Sequence, residues 1–147
     1  MKNQNEIIDN LIETLKDGQE GFKQAAESVK NPQLKSLFND YAQQRARLMV
    51  ELRSIAQTPD EREPDVRGSA TGALHRGWIN LKSALSRGDD HAILAECERS
   101  EDSAVEEYQK ALNDGLSAPV REIVSRQYAE IKATHDRIRD LRDATKG

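Results

Sequence analysis

Carboxylates and imidazoles are the side chains of this chain that could do chemistry, and their placement suggests metal binding between helices. Iron or manganese held inside a helical bundle takes one Glu from each of two helices and a Glu-x-x-His pair from each of the other two. Hard cations want anionic oxygen ligands, and all of them must point inward at one height. The residues that come nearest to this demand are Glu98, Glu101, Glu130 and His135. No Ser-His-Asp spacing, glycine-rich phosphate loop or zinc-ligand pattern accompanies them.

Four segments carry apolar residues at alternating three- and four-residue steps, the period of helices packed in a bundle. The first spans about 5–29, with Ile8, Leu11, Leu15, Gly18, Phe22, Ala25 and Val29 in register and Asn3 as its cap. Asn31-Pro32 opens the second, a cap followed by proline at the first helical position. Its stripe is Leu34, Leu37 or Phe38, Tyr41, a polar gap at Gln44 and Arg45, then Leu48, Leu52 and Ile55. Residues 57–68 hold two prolines and many charges and read as a loop. A shorter helix follows, with Leu74, Trp78, Leu81 and Leu85 on one side. The third long helix runs from about His91 to Asn113 on Leu94, Cys97, Glu101, Ala104, Tyr108 and Ala111. The fourth opens at Ser117-Ala118-Pro119 and carries Val120, Ile123 or Val124, Gln127, Ile131, Thr134, Ile138 and Leu141. Two hairpins with short turns, joined by one long crossover, make an antiparallel bundle in which the second and third long helices run parallel. The expected fold is therefore all-α: a ferritin-like antiparallel four-helix bundle with a short extra helix in the crossover, one domain over residues 1–147.

These helices test the metal reading. Glu101 stands on the inner stripe seven residues from Tyr108, as a bundle ligand should. Glu130 and His135 flank their stripe on opposite sides and are five residues apart, so they do not face one point. On the first helix Glu13 and Glu20 fall towards solvent, and Gly18 takes the inward position. On the second, Gln44 and Arg45 fill the gap where Glu-x-x-His is required. Counting from the turns puts Gly18, Arg45, Glu101 and Thr134 at similar heights. The expectation is a structural polar layer: Glu101 pairs with Arg45, Gly18 makes room, and Gln44, Gln127 and Thr134 satisfy the remaining hydrogen bonds. The alternative is a metal site built from Glu98, Glu101, Glu130 and His135.

The totals limit the function classes. Charged residues are 33% of the chain and hydrophobic ones 36%, a balance that suits amphipathic helices with charged outer faces. The net charge of −4, with Lys and Arg scattered among Asp and Glu, shows no basic footprint for nucleic acid. No apolar run approaches the ~18 residues of a membrane span, and MKNQNEIIDN lacks a signal peptide's apolar segment. A single cysteine, Cys97, cannot form an internal disulfide, which suits a reducing cytoplasm. Its place on an inner stripe beside Glu96 and Glu98 points to a buried, inert thiol. Glu96, Glu98, Asp102, Glu106 and Glu107 read as solvated surface, as does His91. His75 and Trp78 read as packing of the crossover onto the bundle.

The segments LIETLKDGQEGFKQAAESVKNPQLKSLF, GALHRGWINLKSAL, GDDHAILAECERSEDSAVEEYQKAL and IKATHDRIRDL together resemble a family of uncharacterised bacterial proteins. That family is classed as ferritin-like four-helix-bundle proteins, a domain of unknown function. The resemblance covers nearly the whole chain and implies a ferritin-like fold and occurrence in bacteria, including stress-related settings. It implies no activity. The functional expectation is a non-enzymatic, cytoplasmic bacterial helical-bundle protein that acts by protein interaction, as a homodimer or with another protein, without cofactor, nucleic acid or membrane. The competing expectation is an iron- or manganese-binding protein or oxidoreductase with a degenerate site centred on Glu101.

Overall fold

The computed structural model describes residues 4–55, 81–87 and 89–145; the expected Asn3 cap, the 57–68 loop, His75 and Trp78 lie outside the described residues. All secondary structure among the described residues is helical. Helix α1 spans Gln4–Ser28, α2 Pro32–Ile55, α3 Leu81–Arg87, α4 Asp90–Asn113 and α5 Ala118–Thr145. No described helix is long and apolar enough to cross a membrane.

Local chemistry sets the ends of these helices. The Asn31 side-chain oxygen accepts from the backbone N–H groups of Gln33 and Leu34 at 2.7 and 3.3 Å, capping α2 ahead of Pro32. Asp89 caps α4 by accepting from the Ala92 N–H at 3.1 Å. Its neighbour Asp90 works across the fold: its two carboxylate oxygens accept the Lys30 and Asn31 backbone N–H groups at 2.8 and 3.0 Å. The start of α4 is thereby tied to the α1–α2 turn. At the other end, Arg121 donates to the carbonyls of Leu112 and Asp114, closing the carboxyl terminus of α4.

Helix directions follow from pairs at several heights. Gln4 accepts from the Ser117 N–H and Asn10 donates to Glu107, so α1 runs antiparallel to α4 as well as to α2. Arg47–Glu130 and Glu51–Arg126 make α2 antiparallel to α5. Consequently α2 and α4 run in the same direction, as the long connection between them requires. The short α3 packs on α4 and α1 through Leu81 and Ala84.

The inner stripes are buried as the periodicity expects, with Phe38 rather than Leu37 and Val124 rather than Ile123 in the interior. Tyr41, Ile55 and Leu141 are half-buried. Two acidic side chains, Glu13 and Glu96, differ from expectation, and Asp17 is buried as well. Glu13 is 9% exposed and not turned to solvent, Asp17 is 2% exposed, and Glu96 is 5% exposed with Arg99 paired to it at 2.6 Å. The cause is that α1, touching α2, α4 and α3, and α4, touching α5, α1 and α3, each bury a wider arc than one stripe.

The buried apolar residues form two clusters rather than one. The first gathers Ile8–Leu15, Leu48–Leu52, Ala104–Ala111 and Val120–Ile131 residues; the second gathers Phe22–Val29, Leu34–Ala42, Leu81, Ile93–Cys97 and Ile138. Each long helix crosses from one cluster to the other at Gly18, Arg45, Glu101 or Thr134. Because the Asp90 carboxylate holds two backbone donors of another hairpin, Asp90→Ala is expected to cost about 1–3 kcal/mol. Urea unfolding should show a lower midpoint with an unchanged slope.

Candidate functional site: a buried ion pair and a histidine–carboxylate cluster

The level between the two apolar clusters is polar because one residue on each of α2 and α4 breaks its stripe with a charge. Arg45 and Glu101 are 0% and 1% exposed, and they meet in a two-pronged contact. Nη1 donates to one Glu101 oxygen at 3.0 Å and Nη2 to the other at 2.6 Å. Neither charge could be buried alone without a cost of several kcal/mol, and the fork geometry satisfies both carboxylate oxygens at once. Arg45 Nε donates to the side-chain oxygen of Gln44 at 3.0 Å, and the guanidinium lies 5.2 Å from the centre of the Phe22 ring. Gln44 reaches on to Glu130, and the Thr134 hydroxyl donates to the Gln44 oxygen at 3.5 Å and to the Glu130 carbonyl at 3.1 Å.

Gly18 stands against this pair. A Cβ built there would lie 3.2 Å from Arg45 Nη1 and 3.5 Å from Cγ. Arg45 has little freedom to retreat, being held by Glu101, Gln44 and Phe22. Beside Gly18 a cavity of ≈ 190 Å³ is lined by Thr14, Asp17, Ser100 and Glu101 among others.

Gln127 does not join this layer. It lies two turns away, where its oxygen accepts from the Tyr108 hydroxyl at 2.7 Å and its nitrogen donates to Glu51 and to the Leu48 carbonyl. Glu51 also takes Arg126 at 2.5 Å, and that hydrogen bond holds its carboxyl below the usual range. Burial raises the Tyr108 phenol. It likewise pushes the Cys97 thiol well up, with Glu101 and Glu96 adding to the effect, and Cys97 is fully buried.

The four residues of the metal alternative are not brought to one point. Glu101 is occupied by Arg45. Glu130 takes Arg47 at 2.8 Å. Glu98 and His135 do come together, on the facing sides of α4 and α5, but their third companion is Asp102. Carboxylate oxygens of Glu98 and Asp102 and the His135 Nε2 all lie within 4.8 Å of one another. Nε2 is 2.6 Å from Asp102 Oδ1 and 3.8 Å from Glu98 Oε2, while Nδ1 is 3.0 Å from Asp136 Oδ1. The second oxygen of Glu98 is held by Arg142. Partial burial opposes protonation of His135, but the hydrogen bonds to Asp136 and Asp102 outweigh it and raise the imidazole pKa. Sequence reasoning treated Asp102 as plain surface and passed over Asp136 and Arg142. The level shared by Thr134 and Glu101 puts His135 and Asp102 within a turn of each other in height, but only the rotation of α4 and α5 brings them into contact. His91, read as solvated, is half-buried and touches the Thr145 hydroxyl through Nδ1 at 3.1 Å.

A ferritin-type di-metal centre does not fit the mid-level of the molecule. The inner stripes there carry Gly18, Arg45, Glu101 and Thr134, with Asp17 buried beside Gly18; no histidine is among them, and a guanidinium already holds both Glu101 oxygens.

The class these observations define is an all-helical protein with an ion pair across its centre. The chain belongs to the family described as Domain of unknown function (DUF2383), which matches residues 4–114, from the start of α1 to the turn after α4. No match was found among the curated proteins. Arg45 and Glu101 fall inside the matched span, and the α5 residues Glu130, Thr134 and His135 outside it.

The pair makes a quantitative expectation. Arg45→Ala should destabilise by about 3–5 kcal/mol, since it strands a buried carboxylate, whereas Arg45→Met with Glu101→Leu should be neutral or up to about 4 kcal/mol stabilising. Gly18→Ala should destabilise the wild type despite the roughly 1 kcal/mol helix preference for alanine, and should stabilise the double variant. Chemical denaturation of the wild type and the four variants reads all of this. Cys97 should react with a disulfide reagent only at the rate of unfolding, measured by thiol labelling across a denaturant series.

Proposed function

We propose that this chain is a single-domain, ferritin-like four-helix bundle of bacterial origin that works without catalysis, by protein interaction. One observation carries the reading: the two-pronged Arg45–Glu101 pair stands where a metal-binding bundle of this topology places its carboxylates and histidines. The helix directions support the ferritin-like class, because α2 and α4 run in the same direction and each is antiparallel to its two neighbours. A buried ion pair adds little net stability compared with apolar packing, but it admits only one alignment of α2 against α4. A bundle whose register is held in this way presents a constant outer surface, which is what a binding module needs. A stress-related setting, drawn from the family resemblance, belongs to this proposal, as do the cytoplasm, which suits the single cysteine, and a second copy or another protein as partner of the helical hairpins.

The competing reading, an iron or manganese oxidoreductase centred on Glu101, is disfavoured by the donor set at that level. Elemental analysis of protein purified without chelator or affinity metal, followed by anaerobic iron titration, separates the two. We expect no iron or manganese whose binding depends on Glu101. Near-stoichiometric metal that is lost in Glu101→Ala but kept in His135→Ala would reverse the reading and direct attention to oxygen or peroxide chemistry.

A further inference from the structure

The cluster around His135 is built differently from the other charged contacts of the surface. Elsewhere a cation meets an anion directly, as in Arg47–Glu130 and Arg126–Glu51. Here an imidazole that is 13% exposed has a carboxylate oxygen on each of its ring nitrogens. A neutral imidazole carries one N–H and can donate on one side only. If Nδ1–H is directed at Asp136, Nε2 turns its lone pair towards Asp102 and Glu98, and a cation must stand between them. A second proton can do this, and so can a metal ion.

The surroundings favour the metal. A histidine ligand typically donates its other N–H to a carboxylate that fixes ring orientation and strengthens the ligand, and Asp136 stands in that position at 3.0 Å. Lys132 holds Asp136 at 3.1 Å, so this supporting carboxylate is itself oriented. Glu98 and Asp102 are four residues apart on α4 and project from one face. Arg142 occupies Oε1 of Glu98 and leaves Oε2 towards the imidazole. Tetrahedral zinc with ligands near 2.0–2.1 Å sets its donors about 3.4 Å apart. The observed separations of 2.6 and 3.8 Å bracket that value, and Asp102, which makes the shorter contact, is 57% exposed with room to rotate outward.

We infer that Glu98, Asp102 and His135 form a divalent transition-metal site of the zinc type. Asp136 positions the imidazole, and solvent completes the coordination. The one imidazole and two carboxylates suit zinc or cobalt better than the all-oxygen preference of calcium or magnesium. The ion would bridge α4 and α5 on the outside of the molecule, independent of Glu101.

The test uses the full chain stripped with chelator and titrated with Zn(II) by calorimetry, with Co(II) absorption as a spectroscopic reporter. The expected result is one saturable ion per chain, a visible Co(II) band and a raised melting temperature with Zn(II). His135→Ala and Asp102→Asn should abolish the saturable phase, and Asp136→Asn should weaken it about 10–100-fold while keeping the Co(II) band. Asp102 is mostly exposed, so that variant keeps its fold even if His135→Ala does not. Absence of saturable zinc binding in the wild type would overturn the inference. So would binding that survives both ligand substitutions.

Discussion

The rest of the structure is arranged around one constraint, that two opposite charges buried at the centre of a helical protein must find each other. Arg45 on α2 and Glu101 on α4 come from opposite sides of a long connection, yet they share four atoms at hydrogen-bond distance. Around them the apolar interior divides into two clusters, and every long helix marks the division with a residue that is small or polar. Sliding α2 against α4 by one turn would bury two unpaired charges, at several kcal/mol each, while apolar side chains would tolerate the shift far better. On the reading proposed above, the pair selects an alignment more than it adds stability.

That role explains the residues around it. Gly18 leaves room because a methyl group there would press on a guanidinium held by Glu101, Gln44 and Phe22. Phe22 gives the cation an aromatic face, and Gln44 accepts from the third nitrogen. The same logic appears on a smaller scale at Tyr108 and Gln127, where a buried phenol and amide satisfy each other and reach Glu51 at the edge. In both layers the named polar side chains are matched to one another inside the protein.

On the outer faces of the molecule the His135 cluster is distinct because its charge balance depends on what occupies the space between Nε2 and two carboxylates. It lies one residue along from the Glu101–Thr134 level, so the internal layer and the external cluster are set by the same alignment of α4 and α5. Register held inside the molecule therefore governs geometry outside it.

Much of this was legible in the chain alone, because the relevant forces are local or nearly so. Asn31-Pro32 announces a helix start through hydrogen bonds to residues two and three positions away. The apolar stripes follow from a period of 3.6, and straight helices of similar length let heights be counted from the turns, which placed Arg45 opposite Glu101. Counting did not place Gln127, whose inward direction is right but whose level is two turns off. It did not reveal that Glu13, Asp17 and Glu96 are buried, because the width of a helix's buried face depends on how many neighbours it has. For α1 and for α4 there are three. Nor could it bring Asp136 and Arg142 around His135 and Glu98, since contacts between long side chains on facing helices depend on rotation as well as height. Sequence determined the helices, their ends and the need for an inner charge pair, all matters of spacing along one axis. Tertiary structure decided the rotation of each helix about that axis, and with it which acids are buried and which gather around a histidine.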